Sequence, residues 1–180
     1  YSFALTYHLI GQHLAKDQEA LPQHAINLLL HVAVTFLALS LLHTIGLGRL
    51  PAHIGALCFG VHAIHSEVVA GIVGRAELLA AAFRRGGILL FIRNLGNVSP
   101  RRYVSLTFTT LCLFLAYGSK ENAVAFCPFL FCVLMAIYWQ RRSDSETTPT
   151  LNGPMMAAAI VTLVPLAAYL ALRQGIMNDV

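Results

Sequence analysis

"HAIHSEVVAGIVGRAELLAA", residues 62–81, decides how this chain is read. His62, His65, Glu67, Arg75 and Glu77 stand among apolar neighbours, and the segments on either side are apolar enough to be membrane spans. Ionisable groups are costly at bilayer depth and face protein or water when they occur there. The stretch is therefore a loop, a polar seam inside a helical bundle, or a reaction site. His62 and His65, three apart, share a helix face, while Glu67 points elsewhere on a regular helix. Gly71 and Gly74 can relax or end that helix and let Glu67 and Arg75 converge. The plain reading is a short solvated turn with a tertiary salt bridge. The functional reading is a binding or catalytic seam.

Composition widens the case for a membrane protein. The 180 residues are 57% hydrophobic and 11% charged, and mean hydropathy is +0.69. Soluble domains carry roughly a quarter charged residues, so 12 basic and 8 acidic side chains cannot cover a soluble surface of this size. The net charge of +4 does not point to nucleic acid. The basic residues are singles and doublets at the edges of apolar segments, where topology signals belong, not a basic patch interleaved with aromatics. Cys58, Cys112, Cys127 and Cys132 all lie in apolar stretches without a CxxC, and read as small buried hydrophobes.

Outward from the seam, residues 1–23 read as an interfacial amphipathic segment, with Phe3, Tyr7, Ile10 and Leu14 at near-helical spacing and a polar side from His8 to Glu19. Residues 24–173 form a membrane domain of about six spans: 25–45, 53–70, 76–92, 103–118, 123–139 and 155–172. Arg84, Arg85, Gly86 and Gly87 are expected to break the third, and Pro165 to kink the sixth. Tyr1 opens inside a polar-apolar pattern, and residues 174–180 follow directly on a span. Both ends are thus read as cut from a longer chain.

Connections at Arg49, Arg93 to Arg102 and Arg141-Arg142 carry six basic residues; Lys16, Arg75, Lys120 and Arg173 on the other side make four. The bias favours the first group as cytosolic. The amphipathic start, the HAIHSE seam and the Lys120-Glu121 turn then share the lumenal or exterior side. All eight histidines lie within the first 65 residues, so a partner arriving from that side meets them together.

Chemistry-bearing motifs are few. "HAIH" with Glu67 offers nitrogen and oxygen donors, yet HxxH outside an HExxH register is a weak zinc signal. His24 and His31, seven apart on one helix face, complete a site or make a polar helix contact. Lys120 in "GSKENA" suits a lipid-linked phosphate as a point charge, and Glu121 suits a helix N-terminus. The plain reading of both is boundary charge. Arg84 and Arg85 could attract a phosphate, but this topology puts them too deep or on the wrong side. No Walker, GxGxxG or GxSxG motif occurs.

The residues now described resemble a known family. "CFGVHAIHSEVVAGIVGRAELLAAAF" is similar to the signature of the transmembrane O-mannosyltransferases that target cadherins and carry tetratricopeptide repeats, which read "HPxHTEAVAxxxGRAxLL". His62, His65, Glu67, Val69, Ala70, Gly74, Arg75, Ala76, Leu78 and Leu79 match. Ser66 stands for the usual threonine; Ala63 stands for proline, which predicts a less bent helix. Upstream, Ser2, Phe3, Leu5, Tyr7, His24, Asn27, Leu29, Leu30 and His31 match "LSFxLNYxLxG … HLxNxLLHxxxxxL". Downstream, Ser119, Lys120 and Glu121 match "xSKExGxxxP", with Ala123 filling a small-residue position without the glycine. The likeness runs from Tyr1 to Tyr138, in order and spacing.

The resemblance implies an all-α, multispanning, GT-C-like helical bundle in the endoplasmic reticulum membrane. It implies dolichyl phosphate mannose as donor substrate, no tightly bound cofactor or metal, and transfer of mannose to Ser or Thr of lumenal acceptor proteins. His62, His65 and Glu67 would then line the acceptor or sugar side of a catalytic site, Arg75 and Lys120 the donor phosphate, with Glu77 and Glu121 orienting them or capping helices. A metal-independent inverting transfer fits this set. The family's acidic pair, in a first lumenal loop, would precede Tyr1. Partners would be the bilayer, the lipid-linked sugar, the acceptor and further membrane subunits. Two rivals stay open at this stage: a noncatalytic accessory subunit of a large membrane complex, and part of a secondary transporter, for which an inverted repeat would be expected.

Overall fold

The computed structural model describes residues 20–71, 74–94, 101–120 and 152–178, with the single residues 123, 132, 135 and 139. Residues 1–19 and most of the expected fifth span, with Glu121 and Cys127, lie outside the described residues.

Helix α1 spans Ala20–Thr44. Pro22 sits in its first turn, where a missing N–H costs nothing. It ends in a Schellman turn. Gly46 takes φ +97°, its N–H donates to the His43 carbonyl, and the Leu47 N–H donates to Leu42. A side chain at that φ would be strained, which is why glycine closes the helix. Helix α2, Arg49–Val61, follows and returns along α1.

The second expected span does not form as one helix. His62 leaves helical geometry at ψ 128°, and a short helix α3, Ile64–Ala70, begins anew before Gly71 turns extended. Ala63 in place of proline does not straighten the chain here, because the break lies at His62 itself. Helix α4, Arg75–Asn94, runs unbroken through Arg84, Arg85, Gly86 and Gly87, against the expected interruption. Arg84 Nε and Arg85 Nη1 donate to the Ala80 and Ala81 carbonyls one turn back, so the guanidinium groups find acceptors without unwinding the helix. Helices α5, Arg101–Ser119, and α6, Asn152–Asn178, complete the described set, with Pro165 buried inside α6.

Helix α4 is central. It packs on α1 at one side and α5 at the other, and α5 packs on α6. The core between α4, α5 and α6 gathers Ala80, Ile88, Phe91, Ile92, Leu113, Ala116, Tyr117 and Val161.

On two helices polar side chains turn inward while large apolar ones face outward. On α1, Gln23, Asn27, His31 and Val34 are buried, at spacings of four, four and three, while Leu21, Leu28, Leu29, Val32 and Phe36 face outward. On α5, Ser105 and Thr109 point inward while Val104, Phe108 and Leu111 are exposed. Cys58 and Cys132, expected inside, are exposed too. A water-soluble bundle hides its leucines; this arrangement suits a lipid-facing exterior, where polar groups must be satisfied internally. Ser105 Oγ does so at the Leu90 carbonyl, 3.2 Å away.

The bundle is all-α and consistent with a GT-C-like fold. Leu21–Thr44 is the one helix among the described residues long and apolar enough to cross a membrane by length and composition, while Tyr103–Ser119 and Ala159–Gly175 are shorter apolar stretches.

Candidate functional site

The corner between α3 and α4 is fixed to α1 by a buried polar clamp. Asn27, fully buried, donates from Nδ2 to the carbonyls of Gly71 at 3.0 Å and Val69 at 3.3 Å. Its Oδ1 accepts from Arg75 Nε at 3.2 Å. Arg75 Nη2 reaches the Gln23 side chain and carbonyl. The two acceptors at 69 and 71 lie where α3 ends and carbonyls lack helical partners. Gly74 is needed for this corner, since a Cβ there would lie 1.9 Å from the Val68 carbonyl oxygen.

One helical turn along α1, His31 makes the next junction. Its Nε2 meets the Gly60 carbonyl at 2.9 Å, in the last turn of α2. The His31 ring lies 5.3 Å from that of His65, and Phe59 lies 4.4 Å from His65. Arg85 places its guanidinium 4.6 Å from the Phe59 ring centre, within cation–π range.

These groups border a cavity of about 260 Å³ whose lining includes His31, Phe59, His65, Glu77, Arg84, Arg85 and Lys120. Lys120 and Glu77 form an ion pair there, both partly exposed. Three cations and one carboxylate leave the lining positive, with two imidazoles beside them. Burial, then the neighbouring His31, His62 and Arg85, push the His65 pKa below its usual 6.5. His65 is therefore a neutral imidazole near pH 7, able to accept a proton or a hydrogen bond.

The structure distributes the expected site residues unequally. His65 and Lys120 line the cavity, together with Glu77 as Lys120's partner. His62 and Glu67 are exposed and outside the lining. Arg75 is buried in the clamp, bonded to Asn27 and Gln23, rather than converging with Glu67. His31 enters the site while His24, seven residues earlier, is exposed. Arg84 and Arg85, excluded by the linear topology, are brought into the cavity. The signal for them was present in the sequence as an Arg-Arg pair within an apolar segment, which favours a cavity over lipid. Among the described residues no group of three or more His, Cys, Asp or Glu could hold a metal ion.

Fold and site define a membrane-associated helical bundle with a half-open, positively charged cavity. The chain is similar to part of several proteins named protein O-mannosyl-transferase. The chain is 30% identical over 157 residues to the protein O-mannosyl-transferase Tmtc1 of Drosophila melanogaster, covering 84% of this chain and 17% of that one. It is 29% identical over 120 residues to the mouse protein O-mannosyl-transferase TMTC3, covering 67% and 13%. It is 41% identical over 98 residues to human TMTC1, covering 51% and 11%. The chain thus spans less than a fifth of the length of these relatives. It is homologous to part of the TMTC1–TMTC3 proteins at moderate identity. No protein-family model matches it, and no solved structure does.

Proposed function

We propose that this segment forms the donor-phosphate region of a protein O-mannosyltransferase in the endoplasmic reticulum membrane, with dolichyl phosphate mannose as donor. The observation that carries it is the convergence of Arg84, Arg85 and Lys120 on one cavity inside an apolar-coated bundle. At about 260 Å³ the cavity falls just under the ~300–1,000 Å³ of drug-sized sites, a size for a sugar-phosphate head whose polyprenyl tail stays in lipid.

In this reading the acceptor hydroxyl oxygen attacks the anomeric carbon, the bond from that carbon to the phosphate oxygen breaks, and the hydroxyl proton passes to a carboxylate base. Charge grows on the departing phosphate, and fixed cations aimed at it lower the barrier. Arg84, Arg85 and Lys120 supply them, with Glu77 holding Lys120 in place. His65 borders the sugar side, and the exposed His62 and Glu67 meet the acceptor. Arg75 positions the corner rather than touching phosphate. The family resemblance implies an acidic first-loop pair as that carboxylate base.

The test is transfer of labelled mannose from dolichyl phosphate mannose to a Ser/Thr acceptor peptide by the full-length protein in nanodiscs. Transfer that drops at least tenfold in Arg85→Gln, with unchanged thermal stability, supports the reading. A full-length protein that folds and transfers no mannose overturns it in favour of a noncatalytic subunit.

A further inference from the structure

His31 carries an unexplained atom. The residue is 8% exposed, and its Nδ1 is buried without a hydrogen-bond partner among the described residues. The other nitrogen settles its character. A backbone carbonyl only accepts, so the 2.9 Å contact to Gly60 requires the proton on Nε2. In the tautomer with its one proton on Nε2, Nδ1 carries a lone pair, and a buried acceptor calls for a donor.

The neighbouring donor is His65. The ring centres lie 5.3 Å apart at a 45° tilt, so nitrogens of the two rings placed on the line between them would stand about 3 Å apart, a hydrogen-bond distance. His65 stands on the seven-residue helix α3, just past the break at His62, and is half-buried beside open space. His31 is held by Gly60, so the turn falls to the His65 ring, which lies 4.4 Å from Phe59.

We propose that His31 is a positioning residue. Its Nδ1 accepts the ring N–H of His65, and His65 thereby presents its other nitrogen as a bare acceptor to a hydroxyl group in the cavity. The relay reads Gly60 carbonyl, His31, His65, ligand hydroxyl. It sets the His65 tautomer in the way a second group commonly fixes an imidazole. The ligand class that fits is a polyol bearing an anionic group: hydroxyls for His65, the anion for Arg84, Arg85 and Lys120. The charged and titratable groups facing His65 are His31 from α1, His62 at the break and Arg85 from α4, with Arg84, Glu77 and Lys120 farther round the lining. The low basicity of His65 agrees with its keeping that lone pair at neutral pH.

This inference rests on the cavity reading above but is tested without any donor. Histidine-labelled, full-length protein in nanodiscs is studied by 15N solid-state NMR, with His65→Gln giving the assignment. His31→Gln keeps a donor for Gly60 and deletes the acceptor at Nδ1; His31→Asn keeps an acceptor near Nδ1 and cannot reach Gly60. The expected result is one dominant His65 tautomer in the wild type, a shift of about tenfold in the tautomer ratio in His31→Gln, the worth of one net hydrogen bond, and a ratio near wild type in His31→Asn. An unchanged ratio in His31→Gln, or equal shifts in both variants, overturns it. Should the variants not fold, the wild-type spectrum decides alone: a His31 proton on Nδ1, or His65 as an even mixture, refutes the relay. Failure here with mannose transfer intact leaves the donor assignment standing. A dominant tautomer without transfer separates them the other way.

Discussion

Asn27 and Arg75, 48 residues apart, share a buried hydrogen bond of 3.2 Å that ties the first described helix to the start of the fourth. Asn27 donates from its amide nitrogen to the carbonyls of Val69 and Gly71. One side chain therefore holds both ends of the corner that carries His65. Asn27→Ala should cost about 2 kcal/mol, since a buried guanidinium and two carbonyls lose a partner. Arg75→Met should cost a similar amount. The two should be strongly non-additive in a double-mutant cycle followed by thermal unfolding in detergent. Costs that simply add would show that the clamp is not one unit.

Two glycines give a sharper stability contrast. Gly74→Ala should destabilise severely, because the added Cβ would meet the Val68 carbonyl oxygen at 1.9 Å and the corner would have to open. Gly86→Ala should stabilise by up to about 1 kcal/mol, as helix α4 has room there and alanine is the better helix former. Comparable effects in the two variants, measured by the same melt, would contradict the corner geometry.

Acid should weaken the fold through His65. Its folded pKa lies below 6.5, so between that lowered value and 6.5 the unfolded chain binds more protons than the folded one. Stability is unaffected by this group above the unfolded pKa. It falls as pH drops through the window and stays reduced below the folded pKa. His65→Gln should remove this part of the acid sensitivity, seen as a smaller loss of melting temperature between neutral and mildly acidic buffer. An undiminished loss would place the acid response elsewhere.

Lys120 and Glu77 should matter more to ligand than to fold. Both are partly exposed, and such pairs contribute about 0–1 kcal/mol. Lys120→Met should leave the melting temperature close to wild type while mannose transfer falls about tenfold or more. Glu77→Gln should leave stability similar and make transfer more salt-sensitive, since the cation loses its fixed neighbour. A Lys120→Met protein with full transfer would remove this residue from the donor site.

The sequence reading located the helices better than it located the side chains. Hydropathy placed α4 and α5 within two residues and α1 and α6 within six, because lipid and core both select apolar runs. It merged α2 and α3, since nothing in the apolar pattern marks His62 as the residue that leaves the helix. It kept His24 with His31 because seven residues nearly close two turns. The buried stripe instead follows four-residue steps through Gln23, Asn27 and His31, and such rows slant across a helix. Arg84 and Arg85 were assigned by depth along a line, whereas their direction depends on which neighbours α4 meets. The pairing of Asn27 with Arg75 is tertiary information of the same kind. Both positions carried the family likeness, and only the fold shows that they touch.

The inward polar stripe of α1 also has a history in time. Gln23 and Asn27 find their partners at Val69, Gly71 and Arg75, which leave the ribosome later. At ~5–20 residues per second, the 48 residues between Asn27 and Arg75 correspond to several seconds of synthesis. During that interval the nascent helix carries open hydrogen-bonding valences beside its leucines, and water at the insertion site or another chain must meet them until the corner arrives.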